Sequence, residues 1–439
     1  MDRRKFLLNS GLVLGASALL PACKPEMQNE ITNDKEAASF DTWEGIRKQF
    51  LFASNRIHMS QMLLASHPRS VREAIDKHRQ AFDENPVEYW EEKWATIDGE
   101  IRDAASHYMG SDPSEIALTD STTMGLAILY NGFKLKAGEE ILTTFHDHYV
   151  TEKSLDYAAA KTGAILKRVS LYSDPAQANV DEMVSALKKG ITSKTRIIAM
   201  TYVHSCTGVK TPVKEIASMV KDANVNRTEA DKIYLCVDGV HGFGMETATI
   251  PELGCDFFAA GTHKWIFGPR GTGVLYAKKD AWKMVAPIIP SFENSTYNSW
   301  LDLYPEDKLT FADLCSPGGF HSFESRWGLK EAFEFQLSIG KVKVSERTHK
   351  LSTMLKEGLA NIKHIRLITP KSNDLSAGIN CFEVEGMKPL EVVKKLLQKN
   401  IVASESPYKI SYARLTPSII NSEQEVQTCI KALENIKAA

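Results

Sequence analysis

Between about residues 114 and 276, short runs of apolar and β-branched residues alternate with longer stretches in which apolar positions recur every three or four residues. The short runs at 116–118, 140–144, 165–169, 195–202, 233–237, 257–260 and 273–277 read as strands. The stretches 123–133, 151–162, 180–189 and 213–223 read as amphipathic helices. This alternation predicts an α/β domain built on a mostly parallel sheet. The flanks have a different texture. Residues 40–109 are charged and helical in pattern, with apolar residues at helical spacing in 43–52 and 86–108 and a loop-like stretch at 55–60. Residues 278–320 carry Pro, Ser and Asn without a strong period, 323–361 look helical, and 365–439 mix strand and helix patterns as a smaller α+β domain does. The expected organisation is an N-terminal helical segment at 41–110, a large domain at 111–320 and a small domain at 321–439.

Residues 1–23 stand outside this scheme. Arg3 and Arg4 precede Phe6-Leu7, and the apolar run that follows ends at Leu20, too short and too rich in Gly, Ala and Ser for a membrane span. The pair resembles a twin-arginine export signal. Leu20-Pro21-Ala22-Cys23 resembles a lipoprotein cleavage box, although Pro21 departs from it. The resemblance implies export and a periplasmic or membrane-anchored protein with a lipid anchor at Cys23; a plain signal peptide or a retained anchor fits the same residues. Residues 24–40 are polar and read as a tether.

The chain has 439 residues, 43% of them hydrophobic, enough for a large core. Its net charge of -2, with both signs interspersed, offers no field for nucleic acid. The seven cysteines are widely spaced, without CxxC or a His/Cys metal spacing, so neither a metal site nor a disulfide framework is expected.

Two segments carry chemistry. In Leu235-Cys236-Val237-Asp238-Gly239-Val240-His241, an apolar run ends in an Asp and a glycine turn. Ligands of open α/β sheets bind at the carboxyl ends of the strands, so Asp238 is aimed at a ligand. In Ala260-Gly261-Thr262-His263-Lys264-Trp265-Ile266-Phe267-Gly268-Pro269-Arg270-Gly271, a lysine follows a strand and a small-residue turn. Desolvation at such a position lowers a lysine's pKa and frees its amine to form a Schiff base. Together the pair suits pyridoxal 5'-phosphate (PLP), whose aldehyde needs a lysine and whose protonated ring nitrogen needs a carboxylate. In isolation, an Asp and a Lys in loops also read as a solvated pair.

Both motifs, in this order and spacing, resemble the class V aminotransferases, which are fold type I PLP enzymes. His263-Lys264-Trp265 followed by Pro269-Arg270-Gly271 is most similar to the isopenicillin N epimerase-like and cysteine desulfurase-like branch. The resemblance implies a large domain with a mainly parallel seven-stranded sheet, a small α+β domain from both chain ends, and a homodimer. It assigns the cofactor linkage to Lys264 and the ring nitrogen to Asp238. Thr122 and Thr123, in Ser121-Thr122-Thr123-Met124-Gly125, resemble the phosphate-binding turn at a helix N-terminus, though an ordinary Ser/Thr cap has the same residues. His263 adds a phosphate contact or is simply packed. His148, in His146-Asp147-His148-Tyr149, is the ring-stacking residue and a proton shuttle, with His146 and Tyr149 one slip away. Ser205 and His241 face the cofactor's phenolic oxygen, unless His241 lies behind the site. Cys206 stands where the epimerase branch has Pro.

Arg414, ahead of a turn ending at Asn421, is the anchor for a substrate carboxylate, with Arg326 as second candidate; Glu324 and Glu331 are alternative partners for the latter. Desulfurases carry a catalytic cysteine in the stretch that is here Ile401-Val402-Ala403-Ser404-Glu405-Ser406-Pro407-Tyr408, which has none. The expected function is PLP-dependent chemistry on a small amino acid, of epimerase or racemase, aminotransferase or lyase type. A desulfurase-like C–S lyase without the loop cysteine and a non-catalytic exported lipoprotein of the same fold are the alternatives.

Overall fold

The computed structural model describes residues 39–436. The export signal, Cys23 and most of the tether lie outside the described residues. A two-residue strand, β1 (Ile57–His58), precedes the large sheet. The sheet comprises β2 (Ile116–Thr119), β3 (Glu140–Thr144), β4 (Ile165–Val169), β5 (Thr195–Thr201), β6 (Tyr234–Asp238), β7 (Phe257–Gly261) and β8 (Gly273–Ala277). Their order is β2-β8-β7-β6-β5-β3-β4, parallel except for β8, which runs against both its neighbours. The predicted α/β class and mainly parallel seven-stranded sheet are thus present. Every residue of β5, β6 and β7 is buried, as expected of strands covered on both faces.

Register places the site. Thr201 pairs with Asp238, and Asp238 with Ala259, so the carboxyl ends of β5, β6 and β7 lie side by side. The helices Thr122–Gly132 and Tyr149–Thr162 start beside these ends, their N-termini directed at the same edge of the sheet.

A second, antiparallel sheet has the order β12-β13-β10-β9, formed by β9 (Ile365–Leu367), β10 (Asn380–Val384), β12 (Ser404–Glu405) and β13 (Ala413–Leu415). Its core combines Leu351, Leu355, Phe382, Leu396, Leu415 and Leu433 from strands and flanking helices. Between them lies β11 (Ile401–Val402), which pairs in parallel with β1, so the N-terminal segment is hydrogen-bonded to the C-terminal part of the chain.

Local departures from the sequence pattern have visible causes. The 86–108 run is two helices, Pro86–Trp94 and Ile97–Met109, because Thr96 (φ -125°, ψ -32°) leaves the helical region. The 43–52 run is helical only over Trp43–Arg47, and the stretch expected to be a loop contains β1. The 323–361 run is broken at Gly328 and at Gly340, whose φ of +94° favours glycine. The Arg69–Glu84 helix lies within the stretch read as helical and buries Val71, Ala74 and His78.

Candidate active site

A cavity of about 190 Å³ opens at the carboxyl edge of the large sheet, walled in part by Thr122, Thr123, His148, Ser205, Asp238, His241, His263, Lys264 and Arg414. Positions spread over almost 300 residues of sequence therefore meet around one space. Of the site residues named from the sequence, Arg326 alone is not on its wall.

Asp238 ends β6 with its side chain 3% exposed. It accepts two long hydrogen bonds, from the Val240 N–H at 3.2 Å and the Thr151 hydroxyl at 3.4 Å. Burial raises its carboxyl above the usual range, and the Val240 N–H and Lys264 pull it back. This is a buried carboxylate short of donors, an expensive state unless a cationic or N–H partner arrives. Lys264 lies in the turn after β7. Burial lowers its ammonium from the ordinary lysine value, Asp238 opposes that, and Arg414 adds to it. Its Nζ is 3.3 Å from His241 Nε2.

The Thr122–Gly132 helix supplies the opposite wall. Ser121 is the cap, its hydroxyl accepting the Met124 N–H at 3.1 Å, so Thr122 and Thr123 are the first helical residues rather than the cap. First-turn N–H groups have no acceptor within the helix and favour an anion. Thr122 Oγ1 accepts the Gly261 N–H at 2.7 Å, which docks this helix onto β7. A Cβ at Gly261 would lie 2.9 Å from the His263 ring and 3.1 Å from Thr122 Oγ1, so the bare glycine keeps this corner open. His263 is held near neutrality, its pKa brought down to about 4 by burial and by Lys264 and Arg270.

His148 caps the Tyr149–Thr162 helix through Nδ1, which accepts the Val150 N–H at 3.3 Å. Of the three residues open at this position, it alone reaches the cavity. His146 is turned away, stacked on Tyr172 at 4.0 Å and accepting the Leu171 N–H through Nε2. Tyr149 is 62% exposed. Between the two histidines, Asp147 accepts from the Thr144 N–H and the Thr201 N–H, tying the ends of β3 and β5 together.

Arg414, on β13, is 2% exposed and donates to the carbonyls of Ser205 at 2.8 Å and Glu405 at 2.7 Å, and to Ser404 Oγ at 3.3 Å. Among the described residues no carboxylate forms an ion pair with it. Arg326 is different and corrects the expectation of a second anchor. Its fork is committed to Asp98, Nη2 to Oδ2 at 2.7 Å and Nε to Oδ1 at 3.2 Å, with His321 at 3.3 Å. Neither Glu324 nor Glu331 is its partner. The Asp98 helix lies 228 positions away, which no local pattern reveals.

Sequence reasoning missed Tyr408. It lines the cavity, its hydroxyl lies 2.8 Å from Ser205 Oγ, and its ring meets His148 edge-on at 5.7 Å. Burial raises its phenol, which stays protonated. The available signal is an aromatic after Pro407 in the cysteine-free 401–408 stretch.

Comparison with known proteins places this arrangement. The fold is that of the fold type I PLP-dependent enzymes. It superposes on a C-DES mutant with glycine covalently linked to its PLP cofactor with a TM-score of 0.80, at 21% identity, covering 89% of this chain and 99% of that one. The cysteine desulfurase of Thermococcus onnurineus NA1 gives a TM-score of 0.75 at 21% identity, covering 89% and 97%. The chain belongs to the class-V aminotransferase family, whose model matches residues 65–406. It is 23% identical to the isopenicillin N epimerase of Streptomyces clavuligerus, over 89% of this chain and 98% of that protein. It is 26% identical to a probable cysteine desulfurase of Halalkalibacterium halodurans, over 74% and 79%.

Proposed function

We propose that this chain is a PLP-dependent enzyme acting on a small amino acid. The observation that carries the reading is the convergence of four unlike groups on one cavity: the Lys264 amine, the donor-poor Asp238 carboxylate, a helix N-terminus and an unpaired Arg414. The residues fit the cofactor one part at a time. Asp238 meets the ring nitrogen, whose N–H supplies the partner this buried carboxylate lacks. The first turn of the Thr122–Gly132 helix, with Thr122, Thr123 and His263, holds the phosphate. His148 would cover the ring, and Ser205 and His241 would hold its phenolic oxygen. Bound PLP supplies an electron sink for the pair left at substrate Cα. Lys264 would hold the cofactor through its aldehyde and, as a free amine, would move the proton at substrate Cα. Arg414 receives the substrate carboxylate, which gives a buried cation its missing anion.

What else faces the cavity narrows the reaction subtype. The 401–408 stretch brings Tyr408, not a thiol, to the wall. Cys206 is buried, with its thiol raised by that burial, so it is a poor nucleophile. This favours proton transfer at Cα, amino transfer or β-elimination over a desulfurase route through an enzyme thiol. Product analysis on an amino-acid panel separates the three.

The test is the visible absorbance of purified protein before and after borohydride, beside Lys264→Ala. A yellow protein bleached on reduction, with pyridoxyl mass fixed on Lys264, supports the reading. A protein still colourless after added PLP overturns it and leaves the non-catalytic lipoprotein. Export through Arg3-Arg4 and acylation of Cys23 belong to the same proposal, and export that persists in the double Lys variant rules out the twin-arginine route. A homodimer is part of the proposal too, and the exposed apolar side chains Ile288, Ile289, Phe292, Tyr297, Trp300 and Leu303 provide a surface for it; a monomer with full activity in light scattering counts against it.

A further inference from the structure

His241 and Trp265 carry an inference about the state in which Lys264 is kept. The two ring nitrogens of His241 have different neighbours. Nδ1 faces the Trp265 indole Nε1 at 3.3 Å, and Nε2 faces Lys264 Nζ at 3.3 Å. An indole N–H only donates, so Nδ1 must offer a lone pair. An imidazolium has no lone pair, and a neutral imidazole has one. With Nδ1 accepting from Trp265, the single proton of the neutral ring sits on Nε2, where it points at Lys264. An ammonium at Lys264 also only donates. It would set donor against donor at Nε2, whereas a neutral amine accepts that hydrogen. The Trp265 N–H and a charged Lys264 are therefore competing claims on one lone pair.

Trp265 is built to win that competition. It is 2% exposed. Its carbonyl accepts from Gln336 Nε2 at 2.7 Å, and its ring edge lies against Gly378, where a Cβ would come within 2.7 Å. Gly244, at φ +93°, passes so near the Trp265 backbone that a Cβ there would fall 2.5 Å from it. The indole is thus held on both sides, while Lys264 has a flexible four-carbon stem.

We propose that Trp265 is a positioning residue that fixes His241 as the Nε2–H tautomer and, through it, biases Lys264 toward the neutral amine that attacks a carbonyl. The proposal deepens the PLP reading, on which its functional meaning rests. The charged and titratable groups around the pair agree with it. His241 is kept well below the ordinary histidine value by burial and by Lys264, Arg414, His148 and His263. For Lys264, burial and Arg414 favour the amine, and Asp238 alone opposes them.

The test has two arms that do not depend on turnover. Histidine-selective ¹⁵N NMR of the purified protein, with the His241 signals assigned by their loss in His241→Gln, reads the tautomer directly. The expected result is a neutral Nε2–H ring across the neutral pH range. A Nδ1–H or cationic His241 overturns the proposal; the tautomer is read on the unaltered chain, and His241→Gln serves only to assign its signals. In the second arm, the rate at which an amine-directed acylating reagent labels Lys264 in cofactor-stripped protein is followed against pH by peptide mass spectrometry. Trp265→Phe removes the N–H and keeps an aromatic ring. It should move the labelling midpoint upward by about one pH unit, roughly a tenfold lower rate at neutral pH. An unchanged midpoint and tautomer in folded Trp265→Phe would also overturn the proposal. A Nε2–H tautomer in a protein that never takes up PLP would sink the functional reading and leave the Trp265–His241 assignment standing.

Discussion

Two lysines in this chain share a lowered pKa and differ in what surrounds them. Lys264 and Lys356 are both drawn below the ordinary lysine value chiefly by desolvation, Lys356 to about 8. Lys356 is saturated. It donates to the Lys371 carbonyl at 2.8 Å, Asn373 Oδ1 at 3.1 Å and Ser376 Oγ at 2.6 Å, one acceptor for each ammonium hydrogen. Lys264 has one nitrogen neighbour and an open cavity. The arginines repeat the contrast: Arg326 is matched by Asp98, and Arg414 meets only neutral oxygens. In each pair a satisfied cation belongs to the fold, and an unsatisfied one faces the cavity. A shifted pKa marks burial, and the hydrogen-bond inventory separates structure from chemistry.

The largest effects that sharpen this contrast come from the lysines. Lys264→Ala should abolish covalent cofactor retention and turnover, with no pyridoxyl mass after borohydride, while the melting temperature stays the same or rises. Lys356→Met should do the reverse. Three acceptors lose their donor, so unfolding in urea should show a loss of about 1–3 kcal/mol, with cofactor retention intact in the folded fraction. If Lys356→Met instead lost the cofactor, the contrast would fail.

The arginines come next. Arg326→Ala leaves Asp98 partly buried without its partner and should cost about 3–5 kcal/mol of stability, with KM little changed. Arg414→Ala should raise KM for an amino acid roughly 10–150-fold, corresponding to the loss of a charge-assisted hydrogen bond of about 1.5–3 kcal/mol. Steady-state kinetics beside denaturant titrations distinguish the two, and a KM effect confined to Arg326 would exchange their roles.

Much of this arrangement is visible in the chain because it is local. The strands β6 and β7 hold short apolar runs, and Asp238 and Lys264 each follow one closely, so period and punctuation disclose them. Register then brings Asp238 beside Thr201 and Ala259, as strand-end logic requires. What stayed hidden is pairing at a distance. Arg326 finds Asp98 on a helix whose boundary at Thr96 the pattern blurred into a longer run. Tyr408 gains its place only when the small sheet folds back and meets Ser205, 203 positions earlier. Trp265 stands in the lysine motif, yet its link to His241 appears only once the turns after β6 and β7 stand side by side.

The smallest expected effect concerns pH, and it tests whether the cavity charges act on Lys264 with the signs their positions imply. Only the neutral amine attacks an aldehyde, so the rate of PLP uptake by cofactor-stripped protein should rise with pH and level off once Lys264 is deprotonated. Because burial lowers Lys264, the plateau should begin below the ordinary lysine value of 10.5. Arg414 favours the amine, so Arg414→Gln should move the midpoint up. Asp238 favours the ammonium, so Asp238→Asn should move it down, even as that substitution weakens the eventual complex. Shifts of opposite sign from two residues on the same cavity are hard to obtain from a general loss of structure, which would move both midpoints toward that of an exposed lysine. Stopped-flow absorbance across the pH range measures both, and a shift in the same direction for the two variants would show that solvent, not these charges, sets the state of Lys264.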